Sequence, residues 1–219
     1  MARNGVQEPC PVCYMNRLFC ICDALPALAL RTRVCLVIHR NELKKRSNTG
    51  RLALRALANS EMRVRGERGA TLDLNDLVTD GYRTWLFYPS MDARELNRDL
   101  VEEDSRPIQL IVPDGSWRQA GKMLYRHPEL KDVPRVKLGA ANAPKYYMRA
   151  QHRPEAMATL QAVAHALGVI EGAAVEAELL KLYDAKIERT LMARGSRTFG
   201  TPLQKGWKRN MSTNVRSNQ

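Results

Sequence analysis

Four of the five cysteines fall within thirteen residues, as Cys10-Pro-Val-Cys13 and Cys20-Ile-Cys22. Two close thiol pairs separated by the six residues Tyr14 to Phe19 can close around one tetrahedral ion, and four thiolates are a zinc donor set. A closed four-sulfur site leaves no open position for substrate, so its role would be structural. The alternative is a cluster of free thiols in a reducing compartment; a disulfide scaffold would spread its cysteines and follow a signal peptide. Cys35 lies in the apolar run Val34-Cys35-Leu36-Val37-Ile38 and reads as a small buried hydrophobe. The second place for chemistry is Asp114-Gly115-Ser116-Trp117. Ser116 with Gln119 three residues on is a capping-box pattern, so a helix starts there with free N–H groups near Asp114. Gly115 lets the backbone approach a ligand. Asp114 is then either a base or a turn residue stabilised by the helix dipole, and Trp117 serves either core packing or ligand stacking.

Strands must hold these groups in place. Four runs rich in β-branched and aromatic residues read as buried strands, at 34–39, 84–88, 108–113 and 135–138. Helical patterns occupy 50–59, 117–126, 154–167 (Pro154 in its first turn, Gly168 as its stop) and about 172–193. Alternating strand and helix predict an α/β fold, a largely parallel sheet flanked by helices. Ligands of such sheets sit beyond the carboxyl ends of the strands. The residues following each run are unusually polar: His39-Arg40-Asn41-Glu42 and Lys44 to Gly50, Tyr88-Pro89-Ser90, and Asp114 to Trp117. His39 and Glu42 would orient the pocket or pair locally.

A chain of 219 residues with 44% apolar side chains can bury a proper core. It divides into an N-terminal zinc-binding segment at 1–30, a main domain at 31–194 and a basic tail at 195–219. No apolar run approaches the roughly 18 residues of a spanning helix, and the N-terminus lacks a secretory pattern, which predicts a cytoplasmic protein without a membrane partner. The net charge is +12. Residues 31–68 hold eleven basic and three acidic residues and 194–219 hold six basic and none acidic, leaving a near-neutral body. Two basic concentrations of this kind look like a nucleic-acid footprint; the bland reading is a generally basic, soluble protein. Candidate phosphate contacts are Arg40, Lys44, Lys45, Arg46, Arg51 and Arg55, then Arg149, then Arg197, Lys205, Lys208 and Arg209 in the tail, where Trp207 would stack on a base or pack. No sequence feature selects between monomer and homodimer.

Taken together, Cys10-x2-Cys13 with Cys20-x-Cys22, His39-x-x-Glu42, Ser47-Asn48-Thr49-Gly50-Arg51, Tyr88-Pro89-Ser90 and Asp114-x-Ser116-Trp117 resemble the DTW-domain family. The similarity is nearest to its bacterial tRNA-uridine aminocarboxypropyltransferases and runs in the family's motif order through most of the chain. Ser116 stands where the family usually has Thr, and Arg40 where it often has Pro. The resemblance implies that 31–194 is a SPOUT-like catalytic domain with a C-terminal trefoil knot. It implies S-adenosylmethionine as substrate, whose 3-amino-3-carboxypropyl group passes to N3 of a tRNA uridine, at variable-loop position 47, releasing methylthioadenosine. Asp114, Ser116 and Trp117 would be the catalytic residues, with Asp114 either taking the N3 proton or holding the donor's ammonium or ribose. Tyr88, Pro89, Ser90, Val112, Gly115, Leu138, Tyr147 and Thr159, with Asp114 and Ser116, would line the donor pocket; Tyr146 and Tyr147 either contact the ligand or pack beneath their loop. Two other functions fit subsets of these residues: a SPOUT-type tRNA methyltransferase, and a non-catalytic zinc-ribbon RNA-binding protein.

Overall fold

A computed structural model of the chain describes residues 8–69, 71–139 and 157–193. The first strand, β1 (Arg33–His39), has five consecutive buried residues, Val34 to Ile38. A strand covered on both faces needs an unbroken apolar run of this kind, which marks a parallel sheet. After it come α1 (Arg40–Leu43), α2 (Gly50–Ala56), β2 (Ser60–Arg65), β3 (Arg83–Phe87), β4 (Arg94–Glu95), α3 (Arg98–Glu102), β5 (Ile108–Asp114), α4 (Trp117–Arg126), β6 (Arg135–Lys137), α5 (Thr159–Glu171) and α6 (Ala173–Ala193). The six strands form one all-parallel sheet in the order β2-β1-β5-β3-β6-β4.

Side chains alternate across each strand and build two apolar layers. Val34, Leu36, Ile38, Leu110 and Val112 face Leu52 of α2, Leu160, Val163 and Leu167 of α5 and Leu179 and Leu182 of α6. Cys35, Val37, Leu86 and Ile111 face Met123 of α4 with Leu74, Leu77 and Leu130. Cys10, Cys13, Met15 and Ile21 join the first layer, so the cysteine-bearing segment is part of the core. Each fully buried aliphatic side chain contributes roughly 1.5–3 kcal/mol.

The four sequence-predicted strands are present within a residue or so of their expected limits. β2 and β4 are additional. β2 reads Ser-Glu-Met-Arg-Val-Arg and lies at the sheet edge, where partial exposure tolerates charges that hide it from a search for apolar runs. α4 spans 117–126 as expected, whereas α5 runs past Gly168 to Glu171. The true C-cap is Gly172, at φ +117°. Gly168 has a different purpose: a Cβ there would stand 2.8 Å from Glu176 Cβ, so the glycine lets α5 and α6 approach. Pro154 and the tail 195–219 lie outside the described residues, as does 140–156 as a whole. Among the described residues no helix is long and apolar enough to cross a membrane.

From β1 the chain passes through α2 to β2 on one side, and from β5 through α4 to β6 on the other. β1 and β5 are neighbours, with Ile38 paired to Asp114. Their carboxyl ends therefore form a topological switch point, the place where parallel sheets open a crevice for ligands.

Candidate active site

Asp114 ends β5 in this crevice and is only 7% exposed. Its Oδ2 accepts a hydrogen bond from Asn48 Nδ2 at 2.5 Å, and its Oδ1 accepts one from the Thr159 hydroxyl at 2.6 Å. Asn48 in turn accepts from the Arg51 backbone N–H at 3.1 Å through its own Oδ1, which orients its amide. Thr49 Oγ1 accepts from Leu160 N at 3.2 Å, joining the start of α2 to the start of α5. Gly50 closes the back of the site: a Cβ there would stand 3.0 Å from both Asp114 Oδ2 and Leu36 Cδ2. A buried carboxylate is costly unless bonded. Here neutral donors from two other segments hold both oxygens and fix the plane of the group.

The α4 entrance is equally determined. Ser116 Oγ accepts from Gln119 N at 3.3 Å, and Gln119 Oε1 accepts from Ser116 N at 2.8 Å, completing the capping box. Gln119 Nε2 then reaches His39 Nδ1 at 3.1 Å, and Asn41 N donates to the same nitrogen at 3.2 Å. With two donors on Nδ1, the neutral ring carries its proton on Nε2. Burial first, then the charges of Arg65 and Arg40, hold the His39 pKa below its usual value and favour that neutral form. Arg65 donates to the Gln119 carbonyl. The ends of β1, β2 and β5 are thus tied around the helix start.

Trp117 is half-buried, its ring tilted against Tyr88 with centroids 6.1 Å apart. Pro89 is exposed beside Tyr88, and Ser90 donates its N–H to the Tyr88 carbonyl at 2.9 Å. Val112 packs in the first apolar layer, and Leu138 is half-buried against it. The structure brings Asp114, Gly115, Ser116, Trp117 and Tyr88 to the strand ends, and Thr159 onto Asp114 itself. Tyr146, Tyr147 and Arg149 lie outside the described residues, as do Arg197, Lys205, Trp207, Lys208 and Arg209. Of the basic candidates, Arg40, Lys44 and Arg46 are exposed, Lys45 pairs with the buried Glu42 at 2.5 Å, and Arg51 is half-buried over Tyr14.

Sequence reasoning assigned no individual role to Asn48, Thr49, Gly50 and Lys186. The first three belong to the polar run after β1, which was the available signal. Lys186 gave none: it sits on α6 at 1% exposure, donating to Arg46 O at 3.0 Å and Met15 Sδ at 2.9 Å. Burial pushes its pKa down to about 8. Gln161 is 5% exposed, and its Oε1 has no donor among the described residues.

The four clustered cysteine sulfurs lie within 4.8 Å of one another, with Cys10 and Cys22 at 3.5 Å and Cys13 and Cys20 at 3.6 Å. Tetrahedral zinc with Zn–S bonds of about 2.3 Å separates its sulfurs by about 3.8 Å, so the donor set fits such an ion. Backbone N–H groups of Cys13 and Val12 lower the Cys10 thiol to about 6, whereas burial raises Cys13 and Cys22.

A family model described as the DTW domain matches residues 7–191. The chain is also 25% identical over 167 residues to tRNA-uridine aminocarboxypropyltransferase 2 of Macaca fascicularis, covering 74% of this chain and 56% of that protein. It is 29% identical over 172 residues to the protein of the same name in Drosophila melanogaster, covering 75% and 67% respectively. It therefore spans between half and about two thirds of the length of these curated relatives. No solved structure gives a significant match. Cysteine pairs, polar strand ends and the Asp114 helix entrance all lie inside the matched span, and the chain belongs to the DTW-domain family.

Proposed function

We propose that this chain transfers the 3-amino-3-carboxypropyl group of S-adenosylmethionine to N3 of a tRNA uridine, at variable-loop position 47, in the cytoplasm. The observation that carries the reading is the buried Asp114 carboxylate, fixed by Asn48 and Thr159 at the switch point beside the α4 entrance. The name shared by the relatives supports it. A SPOUT-like fold with a C-terminal trefoil knot belongs to the same reading.

Bound donor supplies an electrophilic propyl carbon on a sulfonium, flanked by two other carbons that a nucleophile could also attack. Positioning decides among them, because a near-attack geometry selects one carbon. Asp114 accepts the N3 proton as N3 forms its bond to the propyl carbon; the C–S bond breaks, and its electron pair leaves on sulfur as methylthioadenosine. The Asn48 and Thr159 bonds keep the carboxylate from turning away. Gly115 keeps the backbone open at the strand end, and Ser116 fixes the helix whose first turn carries Trp117. Tyr88, Pro89, Ser90, Val112 and Leu138 would complete the donor pocket, with Tyr147, outside the described residues, assigned to it by the family resemblance. Cys10, Cys13, Cys20 and Cys22 would hold zinc as a structural ion that fastens the N-terminal segment to the core.

The test is mass spectrometry of nucleosides from unmodified tRNA incubated with the protein and S-adenosylmethionine. Aminocarboxypropyluridine with released methylthioadenosine is expected. A methylated nucleoside would make the protein a methyltransferase, and bound but unchanged tRNA would make it a binding module.

A further inference from the structure

Tyr14 follows Cys13 directly and is the one non-glycine residue with positive φ among those described, at 61°. Its N–H donates to the Cys10 carbonyl at 2.9 Å. This left-handed turn is part of the cysteine knuckle and aims the ring at α2. There the Arg51 guanidinium lies over the ring, 3.8 Å from its centroid, and that of Arg55 stands 6.0 Å away. Arg55 also donates to the Tyr14 hydroxyl at 3.2 Å. Arg51 and Arg55 are four residues apart, so they share one face of the helix, about 6 Å apart along its axis.

Neither guanidinium has a carboxylate at ion-pair distance among the described residues. Arg51 makes one long bond, to the Lys45 carbonyl at 3.4 Å, and its Nε has no partner there. The Asp114 carboxylate also acts on it at longer range, its oxygens accepting hydrogen bonds from Asn48 and Thr159. Two like charges held together on a ring, with no carboxylate at ion-pair distance among the described residues, form a site prepared for an anion. Planar guanidiniums match phosphate oxygens in pairs. Arg55 is exposed, and exposed Lys44 and Arg46 lie on the same stretch of chain, which opens the site to a polymer.

We infer that Arg51 and Arg55, stacked on Tyr14, form a binding site for a phosphodiester of the acceptor RNA. The inference rests on the tRNA substrate proposed above. It makes the cysteine knuckle the builder of an RNA contact, joined to Asp114 through Asn48.

The experiment measures affinity for an unmodified tRNA transcript between 50 and 200 mM salt by anisotropy, with thermal melting as the control for folding. Losing one phosphate contact lowers the log-log salt slope by roughly 0.7 to 0.9, so the deficit in affinity is about three-fold larger at 50 than at 200 mM salt. Arg55→Gln, an exposed change that leaves the core intact, should show this loss. Tyr14→Leu should approach the loss of both contacts, up to about ten-fold, and Tyr14→Phe should fall between. Wild-type affinity and slope in Arg55→Gln and Tyr14→Leu, in a protein that still modifies tRNA, would overturn the inference alone. A raised KM for S-adenosylmethionine with unchanged tRNA affinity would also overturn it, assigning the pair to the donor's carboxylate. A wild-type protein that binds no tRNA would overturn the functional reading and this site with it.

Discussion

The two ends of the sheet treat charge in opposite ways. At the amino ends of β3, β4 and β5, a cavity of about 410 Å³ is lined by Arg83, Trp85, Arg94, Arg106 and their neighbours. Its cations are answered within the chain: Arg83 and Arg94 share Glu103 at 3.0 and 2.5 Å, and Arg106 holds Asp104 at 2.6 Å. The hydrogen bond from Arg106 brings the Asp104 pKa down to about 2. At the carboxyl ends, Asp114 accepts hydrogen bonds from Asn48 and Thr159, while Arg51 and Arg55 have no acidic partner at ion-pair distance among the described residues. The amino ends thus hold a recess whose cations are already paired. Charge left without an internal answer points to the other end, where a substrate must supply it.

Substitutions at each end sharpen this contrast. Asp114→Asn preserves size and should lower the rate of uridine modification by about 10²–10⁴-fold, the usual contribution of a general base. Its tRNA affinity, measured in parallel, should stay within about two-fold, since phosphate contacts supply binding. Asn48→Ala removes the donor to Oδ2 of the same carboxylate. Loss of a buried partner costs about 1–3 kcal/mol, visible in urea unfolding, and a fall in kcat with little change in tRNA affinity should accompany it.

His39 gives a smaller, pH-dependent effect. Its pKa is depressed in the folded state, so between that value and about 6.5 the unfolded chain binds more protons and stability rises with pH. The full contribution is present above about pH 6.5 and is lost as pH falls through the folded value. Urea unfolding between pH 5 and 7 should show this acid-side slope, and His39→Gln should flatten it. At the other end of the sheet, Glu103→Gln weakens two exposed ion pairs, which are worth little individually. Its modification rate should equal wild type, with at most a marginal fall in melting temperature. A large loss of activity there would erase the distinction between the two ends.

Local patterns carried much of this organisation. The capping box at Ser116 and Gln119 was legible because its two bonds join residues three apart, and β1 and β5 because buried parallel strands are continuously apolar. The assembly around Asp114 was not legible. Asn48 is 66 residues before it and Thr159 is 45 after it, and only the sheet order brings them together. Gly50 carried no sign that its missing side chain makes room for that carboxylate. Lys186 was hidden for the opposite reason: a lysine on a helix reads as solvated, yet this one is buried between the cysteine knuckle and the loop after β1.

The central claim is that this site presents the propyl carbon of S-adenosylmethionine, and not its methyl carbon, to a uridine nitrogen. The most direct test is to supply donor labelled with ¹³C in either the propyl arm or the methyl group and to follow the label into tRNA nucleosides and small-molecule products. Propyl label is expected in the uridine and methyl label only in methylthioadenosine. Methyl label in tRNA would contradict it.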